Sequence, residues 1–173
     1  MNAHAQHAPN APRPTIASTV ASLAGVIGAP HYPAADRAAL RRWAPGQPMP
    51  LAFYRLWLRH VGEDLPSETQ SETWMTLAWG LATMGAGAHR PGRSLGQVLA
   101  ETGYSEARLE RLLAAPDALR EDLLMSAVRF LAAKGDTFDW LEAATFLLAS
   151  DADKRQRIHR RIAQTYFRYL PKN

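Results

Sequence analysis

The sequence predicts an all-α protein, and three observations carry that expectation. Apolar residues recur every three to four positions through most of the chain, the period of a helix face. Helix punctuation recurs between those segments: Ser or Asp at starts, Gly or Pro at stops. No run alternates apolar and polar as a half-buried strand would, and no internal repeat is present. The chain has 173 residues, 47% of them hydrophobic, enough for a real core.

Residues 1–14, rich in Ala, Pro and His, read as a disordered leader. They lack the basic-then-apolar order of a secretory signal. Thr15–Gly28 is a weakly amphipathic helix built on Ile16, Val20, Leu23 and Ile27. His31-Tyr32-Pro33 breaks it, and Ala34–Trp43 is a short helix carrying Asp36, Arg37, Arg41 and Arg42. Pro45, Gly46, Pro48 and Pro50 make a rigid loop before Leu51–Val61, where aromatic and basic residues interleave. Ser67 is expected to cap a long helix to about Met84, with Trp74, Leu77, Ala78 and Leu81 on its buried side.

Gly85–Arg93 contains too much Gly and Pro for a helix and sits mid-chain. It is the expected linker between two helical bundles, 15–84 and 94–173. Ser94 caps SLGQVLAET, and Gly103 follows as a stop. Ser105–Ala114 and Asp117–Ala133 come next, the second ended by Gly135. Asp136 is expected to cap the following helix, with Asp139 in its first turn. Asp151 starts a closing helix to about Tyr169.

The chain has no cysteine, which excludes disulfides, thiolate metal sites and cysteine nucleophiles and fits a cytoplasmic protein. No apolar run reaches the ~18–20 residues of a membrane span. Lys plus Arg total 20 against 16 acidic residues, with a pI near 9.8. Seventeen of the 20 are arginine, whose planar fork of donors suits phosphate. A GC-rich genome would also raise Ala and Arg together, but it would spread them evenly. Here residues 31–60 carry a net +4, residues 61–122 a net −5 and residues 151–173 a net +5.

On a helical wheel Lys154, Arg157, Arg160, Arg161, Gln164 and Arg168 share a sector of about 120°. Ile158, Ile162, Tyr166 and Tyr169 occupy the adjacent one. No acidic residue follows Asp153 along this helix, so pairs within it cannot neutralise the stripe. Phosphate of a nucleic acid is the expected counter-charge, and a merely solvated basic face is the alternative.

Other motifs carry less. SLGQVLAETGYSEARLERLLAA has the outline of a helix-turn-helix, which keeps a DNA-binding transcriptional regulator as a second reading. Its second helix, however, opens with Ser105, Glu106 and Ala107, poor groups for reading bases beside phosphates. The six histidines show no metal-ligand spacing, and Asp136, Asp139 and Glu142 are explained by capping. No phosphate-binding loop or nucleophile elbow is present. No catalytic residue, metal or cofactor is therefore expected. Trp74, Trp79, Phe130, Trp140 and Phe146 read as core. Trp43, Phe53, Tyr54 and Trp57, set among arginines, are candidates for stacking on bases.

DRAALRRW, a Pro-rich gap and PLAFYRLW, then SLGQVLAETGYSEARLERLL, DLLMSAVRFLA, the DW at 139–140 and the closing basic helix resemble one family in order. It is the small subunit of the type I-E CRISPR surveillance complex, Cascade (the CasB family). The resemblance runs from about Ala34 to the C-terminus; the leader and first helix depart from it. It implies an all-α, non-catalytic subunit present in more than one copy. Such a subunit contacts other Cascade subunits, the guide RNA and target DNA, and the displaced strand. The positions it implicates are Arg41, Arg42, Arg108 and Arg129, with Lys154, Arg155, Arg157 and Arg161 as a basic region. Arg111 joins them because it lies one turn from Arg108. Arg160 and Arg168 join them from the stripe.

Overall fold

Nine helices form among the described residues of the computed structural model, which are 13–172. In chain order they are α1 (Ile16–Gly28), α2 (Ala34–Arg42), α3 (Leu51–His60), α4 (Glu68–Met84) and α5 (Leu95–Glu101). There follow α6 (Glu106–Leu113), α7 (Asp117–Lys134), α8 (Trp140–Leu148) and α9 (Ala152–Tyr169). The all-α expectation holds. The leader lies, apart from residues 13 and 14, outside the described residues.

Local chemistry explains most of the boundaries. Thr15 and Ser18 form a reciprocal capping box at α1. Ser94, Ser105 and Asp151 each accept a backbone N–H at the start of α5, α6 and α9. Gly135 takes the left-handed conformation that ends α7, at φ 70°. Two expected caps differ. Ser67 stands before α4, but its hydroxyl lies 3.1 Å from the Thr69 hydroxyl and caps nothing. Asp139, not Asp136, caps α8, accepting from Leu141 N–H at 3.0 Å. Asp136 is taken instead by Arg93 at 2.8 Å, and Phe138 pairs with His89 in an isolated bridge. That pairing needs extended backbone, so the helix starts after it.

α4 is the centre. Its residues 73–82 are buried on every side, and α1, α2, α7 and α8 all pack on it. A helix apolar all round belongs inside. Trp140 of α8 lies over Gly80 so closely that a Cβ there would fall 2.1 Å from the indole. α5 and α9 pack tightly together, α8 joins them to α1 and α4, and α6 lies on α7.

Sequence suggests two bundles and a linker; the structure shares one apolar core between the halves, running from Leu23 and Phe53 through Trp79 and Trp140 to Val98 and Ile162. The second half of the segment, residues 89–93, is bound to residues 136–140. Arg90 N–H donates to Phe138 O at 2.9 Å and Asp139 N–H to Arg93 O at 2.7 Å. The Arg93 guanidinium ties in Asp136 and Glu101, both at 2.8 Å. Sequence composition shows why this segment is not helical, but not what it binds.

Candidate nucleic-acid interface

The closing helix has two faces of different chemistry. Ile158, Ile162 and Tyr166 are buried, and the Tyr166 hydroxyl donates to Tyr104 O at 2.6 Å. Lys154, Arg157, Arg160, Arg161 and Arg168 are exposed. Tyr169, expected on the packing side, is 43% exposed.

Three of the cations have carboxylate partners, two of them from other helices and one from the helix's own cap. Arg161 Nε lies 3.0 Å from the buried Oε1 of Glu142 in α8, a close pair poorly aligned for a hydrogen bond. Arg155 falls on the packing side. It donates through Nε to Ala149 O at 2.8 Å and pairs with Asp117 of α7 at 2.8 Å. Lys154 pairs with Asp151 at 3.1 Å. The expected absence of carboxylates beside the stripe therefore holds along α9 but not across α7 and α8. Arg157, Arg160 and Arg168 have no carboxylate partner among the described residues.

The other expected positions fall into separate places. Arg41 and Arg42 are exposed in the last turn of α2, where the helix dipole favours cations. Their neighbours in the basic block are used internally: Arg37 donates to Ile27 O and Ala29 O, and Arg55 pairs with Asp36 at 2.6 Å. Arg108 and Arg111 share a cleft of about 310 Å³ with Tyr104, Leu123, Ser126 and Phe130. The Arg108 guanidinium lies 5.9 Å from the Tyr104 and Phe130 ring centres, and Lys134 lies 5.7 Å from Phe130. Lys134, in the last turn of α7, was not among the expected positions. Arg129 is exposed and stacks over Trp79 of α4 at 4.9 Å.

Of the four aromatic candidates for base stacking, Trp43, Phe53 and Trp57 are buried in the core. Their neighbours Arg41, Arg42, Arg55 and Arg59 point outward, as the period of a half-buried helix requires. Only Tyr54 remains partly exposed. α6 begins with Glu106 exposed, so its first turn offers a carboxylate where DNA reading would need a donor.

Beneath α9 lies a buried cationic junction. Arg120 is 5% exposed, donates to Phe146 O and lies 4.4 Å from that ring. Burial, and then Arg155, push its pKa down. His159 packs on Phe146 at 5.6 Å with its Nε2 buried and unpartnered. Burial first, then Arg120 and Arg155, lower its pKa from 6.5. A histidine lowered on folding contributes stability fully present above 6.5 and lost as pH falls through that value to the folded pKa. Glu142 runs oppositely: burial raises its pKa above 4.5, so its contribution is fully present below 4.5 and lost as pH rises through the raised value. We expect thermal melts to show His159→Gln flattening the loss of stability just below pH 6.5. An unchanged slope would mean that His159 does not feel the junction.

The model of the family described as CRISPR-associated protein Cse2 matches residues 36–167, well over half the chain. The chain belongs to this family. Cse2 is the small subunit of the type I-E Cascade complex, and the family implies assembly with other Cascade subunits. The match begins within α2 and ends within α9, so it includes the α6–α7 cleft and nearly all of the stripe, while α1 lies outside it. Comparisons with curated proteins and with solved structures found no match. Among the described residues of this Cse2 protein, no helix is long and apolar enough to cross a membrane.

Proposed function

We propose that this Cse2 chain is a non-catalytic, cytoplasmic subunit that holds nucleic-acid backbone within Cascade and stabilises the R-loop. The carrying observation is α9: one face is locked into the core while Arg157, Arg160 and Arg168 stand exposed with no carboxylate partner among the described residues. Like charges on one face repel unless an anion lies opposite, and phosphate is that anion. Arg108, Arg111 and Lys134 around Phe130, and Arg41 with Arg42, add contacts of the same kind. The ligands under this reading are the guide RNA–target DNA assembly and the displaced strand, with a second copy of the chain and other Cascade subunits alongside. In RNA-guided recognition base pairing carries the sequence, and exchange of one duplex for another is nearly balanced, so backbone contacts can tip it.

The test is Arg157→Ala with Arg160→Ala. Arg161 is the wrong choice, since removing it strands the buried Glu142. The double variant should melt within about 0.5 kcal/mol of the parent, as exposed changes do. It should weaken DNA engagement by reconstituted complex. The salt slope should drop by about 0.9 per lost duplex contact, or about 0.7 per single-strand contact. Normal melting with unchanged R-loop formation would reduce the stripe to a solvated face.

A further inference from the structure

The cationic stripe borders a cleft. Lys154, Arg157 and Arg161 rim a hollow of about 320 Å³ whose apolar walls include Ile16, Leu148 and Ile158. α1 supplies Ile16, and α1 lies outside the family match. This chain thus adds to the stripe a wall that the matched region does not provide. Ile16 is 40% exposed, an apolar side chain in water beside three cations.

We propose that this cleft takes one unstacked base of a single-stranded nucleic acid, its phosphates held by Arg157 and its neighbours. The inference rests on the reading of α9 as a phosphate-binding face. Cations above an apolar floor suit a ligand that is anionic outside and apolar within. A nucleotide meets that description in a single strand, where its base is released to stack, but not in a duplex, where the base is buried in pairs. The row of cations favours a polyanion over an acidic peptide. It runs from Lys154 past the cleft to Arg168, roughly 21 Å along the axis at 1.5 Å per residue. A strand carries charge at regular intervals over that distance. The pairs Lys154–Asp151 and Arg161–Glu142 do not close the cleft. The first is exposed and weakly held, and the second engages Nε, leaving the terminal nitrogens of Arg161 for the rim. The one hydroxyl in the lining, Thr145, already donates to Leu141 O at 2.7 Å. Among the described residues no other side-chain hydroxyl or amide lines the cleft, so these walls do not select one base over another.

The full chain should be titrated with a thymidine oligonucleotide and with an abasic deoxyribose-phosphate strand of equal length. The thymidine strand should bind about tenfold tighter, as burying one base against aliphatic side chains implies. Ile16→Ser should remove that preference while leaving affinity for the abasic strand unchanged, and Ile16→Leu should keep it. A strand containing 2-aminopurine should change its emission on binding to the parent and not to Ile16→Ser. Equal binding of both strands, or a preference that survives Ile16→Ser, overturns the base cleft. Arg157→Ala separates the two levels. If it weakens both strands while they bind equally, only the base cleft fails; if it weakens neither, the phosphate reading fails with it. A leucine-containing acidic peptide that displaces thymidine strands and binds more tightly would overturn the choice of occupant.

Discussion

Gly96→Ala should loosen the closing helix and lower the melting temperature by roughly 6–12 °C, the shift expected for an overpacking cost of about 3 kcal/mol in a chain of this size. Gly96 lies in the first turn of α5, where α5 meets α9. A Cβ there would fall 2.2 Å from Ile162 O and 2.9 Å from Tyr166 N, both backbone atoms. It would also fall 2.2 Å from Thr165 Oγ1, which donates to the carbonyls of Arg161 and Ile162 and cannot easily turn away. A flexible side chain could yield; a helix backbone can yield only by moving as a body. Gly25→Ala is the control. That glycine is inside α1, with nothing within 4 Å of a Cβ. Alanine there should stabilise by up to about 1 kcal/mol, from helix propensity alone. Two identical substitutions should therefore shift melting in opposite directions. If Gly96→Ala melts like the parent, α5 and α9 are not in the close contact described.

The sequence made most helices and the two faces of α9 legible, because both depend on local period and capping. Ser94, Ser105 and Asp151 act as their positions imply. What it hid depends on partners distant in the chain. Asp136 and Asp139 are equally plausible caps by residue type, and only Arg93, some forty residues earlier, decides between them. Arg155 and Arg161 read as members of a bare basic region, yet Asp117 and Glu142 reach them from other helices. Trp43, Phe53 and Trp57 sit between arginines in sequence and beneath them in space. Gly96 carries no signal of its own in the sequence, whereas the approach of α9 requires it. The cleft beside Arg157 was invisible for the same reason: its walls come from α1, α8 and α9.

Ile162→Asp should abolish the ordered closing helix, and it should do so without removing a single cation. Ile162 is fully buried, one turn beyond Ile158 and one before Tyr166. Losing its packing alone costs about 2–5 kcal/mol by analogy with Ile→Ala changes. A carboxylate there must also be protonated or left unpaired in the interior, which adds to that loss. The total is a large share of the ~5–15 kcal/mol that holds a domain of ordinary stability. Far-UV circular dichroism and thermal melts should show lost helix and a low or absent transition, and Ile162→Val should cost only about 0.5–1.5 kcal/mol. The comparison with Arg157→Ala plus Arg160→Ala is what gives the result its meaning. If α9 has one face for packing and another for phosphate, the aspartate variant loses fold and binding together. The arginine variant then loses binding alone. If instead Ile162→Asp folds normally, the helix is not anchored through that face, and the division of labour along α9 fails at its root.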